Sequence, residues 1–164
     1  KNVSRDDGFV FGDLPWLVTK QEVIKQKQLN DISAEKGDFL KAEGSFPFNK
    51  SSLKLLTIYR FSDDKFVSGE YLFSTSDKTL FAQFCKELKT NLSKSLAKPN
   101  ANDLSVLDKA GEASAQGKSV SWEGKDRSTL SVNVLTAEQQ GSSTEYLLQI
   151  KSSSPLPERQ GLKP

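Results

Sequence analysis

Apolar residues recur between positions 80 and 96 with the spacing of an amphipathic helix. Every third or fourth position is apolar, in the series Leu80, Phe81, Phe84, Cys85, Leu88, Leu92 and Leu96. This spacing places these side chains on one side of a helix, which is typical of a helix packed on a sheet. Residues 74–77 offer several N-cap side chains, and Pro99 ends the pattern. The sequence therefore predicts a helix over about residues 77–96.

A second, shorter helix is predicted from its start signal. Residues 19–22 form a capping box, in which the Thr19 hydroxyl can accept from the Glu22 N–H and Glu22 can reach back to the Thr19 N–H. Val18 and Val23 occupy the two positions of a hydrophobic staple. We expect a helix over about residues 20–29.

Alternating apolar residues predict strands between the two helices. Residues 53–61 have Leu, Thr and aromatic side chains on one face and Leu56 and Ile58 on the other, which predicts a central strand covered on both sides. Residues 62–65 predict a turn, and residues 66–73 predict its partner strand. Residues 39–42 predict a short strand that leads into a loop over residues 44–52.

Three more strands are predicted after the long helix. A loop with one helical turn at 103–109 precedes a strand that contains Trp122. The last two strands show strict alternation, with apolar residues at Leu130, Val132, Val134, Tyr146, Leu148 and Ile150. Polar and glycine-containing segments at 124–126 and 139–143 predict the turns that connect these strands.

These elements predict one α+β domain over residues 14–151. It consists of an antiparallel sheet of about six strands with two helices packed on one face. The order of helix, three strands, helix and three strands suggests a tandem repeat with halves at 14–75 and 76–151. Residues 1–13 are assigned to an N-terminal segment, and residues 152–164 to a C-terminal tail.

Composition argues against several classes of function. The 164 residues include no histidine, which excludes zinc sites of ordinary composition and triads with a His base. The single cysteine, Cys85, lies in the apolar stripe and is interpreted as a buried hydrophobe. A net charge of +2 without a basic stripe argues against nucleic acid as a partner. No apolar run approaches the roughly 20 residues that span a bilayer.

Other polar groups are interpreted as caps, turns and solvated surface. The spacing of a serine–lysine catalytic pair occurs twice, at Ser62 with Lys65 and at Ser95 with Lys98. A working pair needs a desolvated lysine, and neither sequence context predicts that the lysine is buried. Asp63 and Asp64 are ordinary hairpin-turn residues rather than calcium ligands. No spacing selects a carboxylate pair for glycoside hydrolysis among Glu22, Glu70 and Glu87. We predict no catalytic residues, no metal site and no cofactor.

Aromatic residues outside the periodic segments are the best candidates for a binding surface. Phe46 and Phe48 flank Pro47 in the predicted loop, and Trp16 precedes the first helix. If exposed, they would form a rigid contact patch of the kind that anchors interfaces. The alternative is that they close the ends of the sheet.

Short motifs resemble those of uncharacterised bacterial extracytoplasmic lipoproteins. Residues 19–23 match a T-x-x-E-V helix start, and residues 59–66 resemble the strand hairpin that follows it. Residues 96–99 resemble the aromatic-Gly-x-Pro end of a long helix, and Trp122 the later tryptophan-bearing strand. Ala97 departs from this pattern, which has glycine there.

The layout is also similar to the tandem helix-plus-sheet architecture of the beta-lactamase inhibitor protein family and of small outer-membrane-assembly lipoproteins. These families bind other proteins and catalyse no reaction. The resemblance implies an extracytoplasmic binding module that is periplasmic, secreted or lipid-anchored, with membrane contact only through an N-terminal lipid anchor. It is a likeness at the level of the fold.

The function that we expect is therefore a non-enzymatic binding or interaction module with a protein partner. Its contact surface would be the sheet face away from the helices, together with Phe46, Phe48 or Trp16. The alternative is a carrier of a small apolar ligand, which requires an apolar pocket of at least about 300 Å³ lined by aromatic residues. The third hypothesis is a hydrolase without histidine.

Overall fold

The computed structural model describes residues 8–29, 38–96, 99–100, 103–110, 117–138 and 144–155. The elements are α1 (Lys20–Lys27), β1 (Phe39–Phe48), β2 (Ser51–Ser62), β3 (Lys65–Thr75), α2 (Lys78–Ser95), β4 (Ser119–Glu123), β5 (Thr129–Glu138) and β6 (Thr144–Ser153). A short 3-10 helix, Leu104–Lys109, lies between α2 and β4 and confirms the helical turn predicted there. The turn predicted at 139–143 and the Ala97 position lie outside the described residues.

The six strands form one antiparallel sheet in the order β1-β2-β3-β6-β5-β4. With the two helices, this confirms the predicted α+β fold. Each half of the chain supplies a helix and a three-stranded meander. The halves are joined where β3 pairs with β6 at the centre of the sheet.

Both helices lie on the same face of the sheet. Because side chains alternate along a strand, the strand register identifies that face. One cross-strand row of this face comprises Leu40, Tyr59, Gly69, Ser152, Leu130 and Trp122. Val23 of α1 packs at one end of the face, and Phe84 of α2 packs on Phe73. We call this the helix side and the opposite surface the open face.

Helix α1 begins as the capping box predicts. The Thr19 side chain accepts a hydrogen bond of 3.2 Å from the Glu22 N–H. Asp64, in the turn between β2 and β3, accepts from the Lys20 N–H and so attaches the helix to the sheet. The helix ends earlier than predicted, because Gln28 adopts the left-handed conformation that caps helix C-termini.

Helix α2 has the predicted length and buried side. Asp77 is its N-cap, with its carboxylate accepting from the Leu80 N–H at 3.1 Å. The apolar stripe is buried against the sheet at Leu80, Phe81, Phe84, Cys85 and Leu92. Phe81 stacks on Tyr146 of β6 with ring centroids 5.6 Å apart. The helix thus covers the half of the sheet that contains β6.

The loop predicted over residues 44–52 is wrong, because these residues form a β-hairpin. Strand β1 continues through Phe48, and only Asn49 and Lys50 turn, both with positive φ as two-residue hairpins require. Pro47 is tolerated because β1 is an edge strand with one neighbour. Phe46 and Phe48 lie an even number of positions after Leu40 in β1, so their side chains are on the same face of the sheet as Leu40.

Residues 8–13, the described part of the N-terminal segment, contribute side chains to the core. Phe9 and Phe11 are 1% and 3% exposed. Phe9 belongs to the cluster under α2 and Phe11 to the cluster under α1, so the segment connects the two. The Phe9 N–H donates to Ser128 Oγ at 2.6 Å, which fixes the segment beside β5.

Two other expectations change at the strands. Leu56 and Ile58 of β2 were expected to be covered, but they lie on the open face and are half-buried. No helix of the described residues packs on that face. At the C-terminal end, β6 extends to Ser153 and Ser152 is buried, so the fold includes the start of the expected tail.

Gly69 is the closest approach between the N-terminal segment and the sheet. A Cβ there would overlap the Phe11 ring, whereas a Cβ at Gly44, on the same face in β1, meets nothing within 4 Å. We expect Gly69→Ala to lower the free energy of unfolding by about 2–3 kcal/mol, because overpacking displaces the ring. Urea denaturation measures this loss. The matched control, Gly44→Ala, should change stability by less than about 1 kcal/mol; equal effects at both sites would contradict the close contact.

Candidate binding slot beneath helix α2

Phe46 and Phe48 lie on the helix side of the sheet, not on the open face. The Phe46 ring makes edge contacts with Phe73 and Phe84, at centroid distances of 5.4 and 5.8 Å. Phe48 contacts Phe84 in the same way at 5.6 Å. Phe46 is nevertheless 37% exposed. The end of β1 therefore carries a partly open aromatic wall that faces α2, which corrects the expected placement of these residues.

Trp16 does not join this wall. Its ring stacks on Phe66 with centroids 5.2 Å apart, and its indole N–H donates to the Phe9 carbonyl at 2.9 Å. It packs against the cluster under α1. These contacts give Trp16 a structural role at the end of the sheet, which is the alternative that the sequence left open.

A cavity of about 400 Å³ opens between the aromatic wall, α2 and the sheet. Its apolar lining residues are Phe46, Phe48, Phe73, Phe84, Leu88, Leu92, Leu96, Leu130 and Ile150. Along α2 the lining extends over three turns, because Phe84 and Leu96 both contribute. We call this cavity the slot.

The rim of the slot is polar. Glu87, Asn91 and Ser95 line it from α2 and are exposed. Each follows the previous one by four residues, so together they form one ridge beside the apolar series that starts at Phe84. The apolar interior of the slot is thus bordered by hydrogen-bonding groups on its helical side.

A shallower polar depression adjoins the slot. It shares Phe48, Glu87 and Asn91 with the slot, and its other lining residues are Asn49, Gln83, Lys86, Thr90 and Lys94. Asn49 Nδ2 donates to Gln83 Oε1 at 3.1 Å, which links the β1–β2 turn to α2. The depression therefore lies where the hairpin tip meets the helix.

The open face carries a hydrogen-bonded chain of side chains across four strands. Glu70 of β3 accepts from Arg60 Nε at 3.0 Å and from the Gln149 side chain. The Gln149 Oε1 atom in turn accepts from Asn133 Nδ2 at 2.8 Å. Glu70 is only 4% exposed, and both of its oxygens are bonded. This surface is a satisfied polar network rather than a continuous apolar patch.

The described groups that could serve catalysis lack the required environment. Ser62 and Lys65 are register partners at the β2–β3 hairpin, but Lys65 is exposed, so this pair lacks a desolvated lysine. Asp63 and Asp64 form a tight turn with positive φ at both residues, as the turn interpretation predicts. Glu70 is held by Arg60 and Gln149, and Glu87 is exposed at the rim. Among the described residues, no three His, Cys, Asp or Glu side chains are grouped to hold a metal ion. Lys98 lies outside the described part of the chain.

Cys85 lies on the buried side of α2 and is fully buried, and this burial raises the pKa of its thiol to about 12. The thiol is therefore protonated at neutral pH and lacks the nucleophilic thiolate form. Burial also raises the pKa of Tyr59 to about 12, with the neighbouring Tyr71 adding to the effect. Both groups belong to the packed interior.

The sequence indicated Phe46 and Phe48 as binding candidates, whereas the other apolar residues that line the slot were expected to belong to the core. Phe73 and Phe84 were expected only to pack between helix and strand, yet they also line the slot. The available signal was the polar series at Glu87, Asn91 and Ser95 beside the apolar stripe. That series marks a boundary on the helix, but it does not reveal a gap beneath it.

Comparisons with protein-family models, with curated proteins and with solved structures find no match to this chain. No helix in the described ranges combines the length and apolar character needed to cross a membrane.

The raised thiol pKa predicts a specific loss of stability in alkali. Since the folded pKa lies above the ordinary value of 9.0, the stability that the neutral thiol contributes is complete below pH 9 and is lost as pH rises toward 12. The difference in unfolding free energy between the wild type and Cys85→Ala should shrink by about 1 kcal/mol from pH 8 to pH 10. Urea titrations of both proteins at pH 8 and pH 10 test this. Both proteins contain Tyr59, so its ionisation cancels in the difference. If the unfolding free energies of the two proteins changed equally with pH, the thiol would be accessible and the prediction would be wrong.

Proposed function

We propose that this protein is a non-enzymatic binding protein that holds a small apolar ligand in the slot beneath α2. The observation that carries the proposal is the cavity of about 400 Å³ walled by four phenylalanines and five aliphatic side chains. Small-molecule sites are typically concave, mostly apolar and about 300–1,000 Å³ in volume. The slot has these properties, and its polar groups are confined to one rim.

The energetics of Phe46 support the same function. An aromatic side chain that is 37% exposed at the mouth of an apolar cavity leaves apolar surface in water. A ligand that covers this surface gains about 25 cal/mol for each Å² removed from solvent. The wall is also held by ring contacts to Phe73 and Phe84, so little conformational freedom is lost on binding.

A protein partner bound through the open face is the second candidate. Half-buried Leu56, Ile58 and Leu72 on that face are the observation that favours it. However, the central carboxylate, Glu70, is already bonded, and the aromatic residues expected to assist lie on the other side of the sheet. Extracytoplasmic localisation, which rests on the lipoprotein resemblance, remains part of the proposal.

Catalysis is the least supported function. The residues that line the slot include one carboxylate, Glu87, and one hydroxyl, Ser95, both exposed on α2. A hydrolytic site would need a nucleophile and a base within hydrogen-bond reach of each other. Glu87 and Ser95 are separated by eight positions, about 12 Å along a helix.

Calorimetric titration with two neutral probes, 1-decanol and N-phenyl-1-naphthylamine, tests the slot. We expect the wild-type chain to bind at least one probe. Phe46→Ala should weaken that binding on the order of tenfold, as truncation of a buried aromatic contact does at other binding sites. Phe39→Ala is the matched control, because it removes the same side chain from the opposite face of β1 and should leave affinity unchanged.

A second variant blocks the slot instead of opening its wall. Ser95→Trp places a large side chain at the exposed rim, where little is disturbed, and should reduce binding of either probe more than tenfold. The proposed function would be overturned if the wild-type chain bound neither probe, or if both slot variants bound the probes as tightly as the wild type does.

A further inference from the structure

We propose further that the ligand is a free single-chain amphiphile with an anionic head group. Its chain lies along the slot, and its head lies in the adjoining depression beside Lys94 and Lys86. This inference rests on the proposed function and adds the chemical class of the ligand.

The dimensions of the slot fit one extended chain. Phe84 and Leu96 both line it, and twelve residues of helix correspond to about 18 Å. Between these two residues, Leu88 and Leu92 continue the apolar lining. An apolar lining that runs along three turns of a helix suits an extended alkyl chain.

Polarity around α2 indicates where the head group lies. The apolar series from Phe84 to Leu96 faces the sheet, and Glu87 and Asn91 form the next ridge. Beyond that ridge, the depression is lined by amide, hydroxyl and charged groups, including Lys86 and Lys94. A molecule that spans the slot and the depression therefore meets an apolar wall at one end and hydrogen-bond donors at the other.

The charges of the depression favour an anion. Its ionisable lining groups are Lys86, Lys94 and Glu87, a balance of two cations to one anion. Lys94 lies next to Asn91, which lines both the slot and the depression, because residues three positions apart are neighbours on a helix surface. All three groups are exposed, so solvent screens them and each contributes modestly to affinity.

A free amphiphile fits better than a bilayer surface. The slot lies between α2 and the sheet and opens to solvent at Phe46, so it would accept the chain of a molecule that has left its bilayer. The chain has a net charge of only +2, so its overall attraction to an anionic bilayer is weak. The ligand class is thus a monomeric carboxylate or a similar anion with one alkyl tail.

Calorimetry with three decyl ligands below their micelle concentrations tests the head group. At pH 8 and low salt, decanoate should bind at least threefold more tightly than 1-decanol, and decyltrimethylammonium more weakly than both. Lys94→Gln should weaken decanoate binding about threefold and the Lys86→Gln/Lys94→Gln double variant about fivefold, with 1-decanol unaffected. Glu87→Gln should strengthen decanoate binding, because it removes a like charge. Lys78→Gln, on the same helix but outside the depression, is the charge-matched control.

The outcomes separate this inference from the proposed function. If N-phenyl-1-naphthylamine binds and none of the decyl ligands does, the slot is a binding site but not for a single chain. If decyltrimethylammonium binds best, or Lys78→Gln weakens decanoate as much as Lys94→Gln, the anionic head is wrong. Co-sedimentation with phosphatidylglycerol vesicles in the absence of decanoate binding would assign the lysines to a lipid surface and overturn the inference. If neither 1-decanol nor N-phenyl-1-naphthylamine binds, the proposed function itself fails.

Discussion

Two helices of unequal length must cover one continuous apolar sheet face, and the rest of the structure follows from that constraint. The six strands span about 24 Å between the outer strand axes, whereas α1, with eight residues, is only about 12 Å long. The N-terminal segment fills part of the difference by placing Phe9 and Phe11 in the two core clusters. Beneath α2, part of the same face stays uncovered as the slot, where Phe46 is partly exposed.

The carboxylates and hydroxyls that could have served chemistry are used to hold the elements in place. Asp64 attaches α1 to the β2–β3 turn, and Asp77 caps α2. Ser128 holds the N-terminal segment, and Glu70 organises the open face with Arg60. An unpaired buried polar group is costly, so these bonds explain how polar residues can lie within the fold.

The two faces of the sheet differ because alternation separates their residues. On the helix side, Phe73 and Ile150 build an interior with a gap in it. On the open face, Asn133 donates a hydrogen bond to Gln149 on the neighbouring strand. The helix side therefore leaves apolar surface uncovered in the slot, whereas the polar side chains of the open face are bonded to one another.

The sequence by itself determined the local elements, because periodicity and capping act within a few residues: the stripe of α2, the Thr19 cap, the Asp63–Asp64 turn and six alternating strands. It did not predict that residues 44–48 continue β1, since Pro47 is acceptable only on a strand whose outer edge is unpaired. Nor could it place Phe11 on Gly69, a contact between positions far apart in the chain. The slot also depends on contacts between distant positions. The sequence shows that its lining residues are apolar, but only the position of α2 over the sheet leaves a space between them.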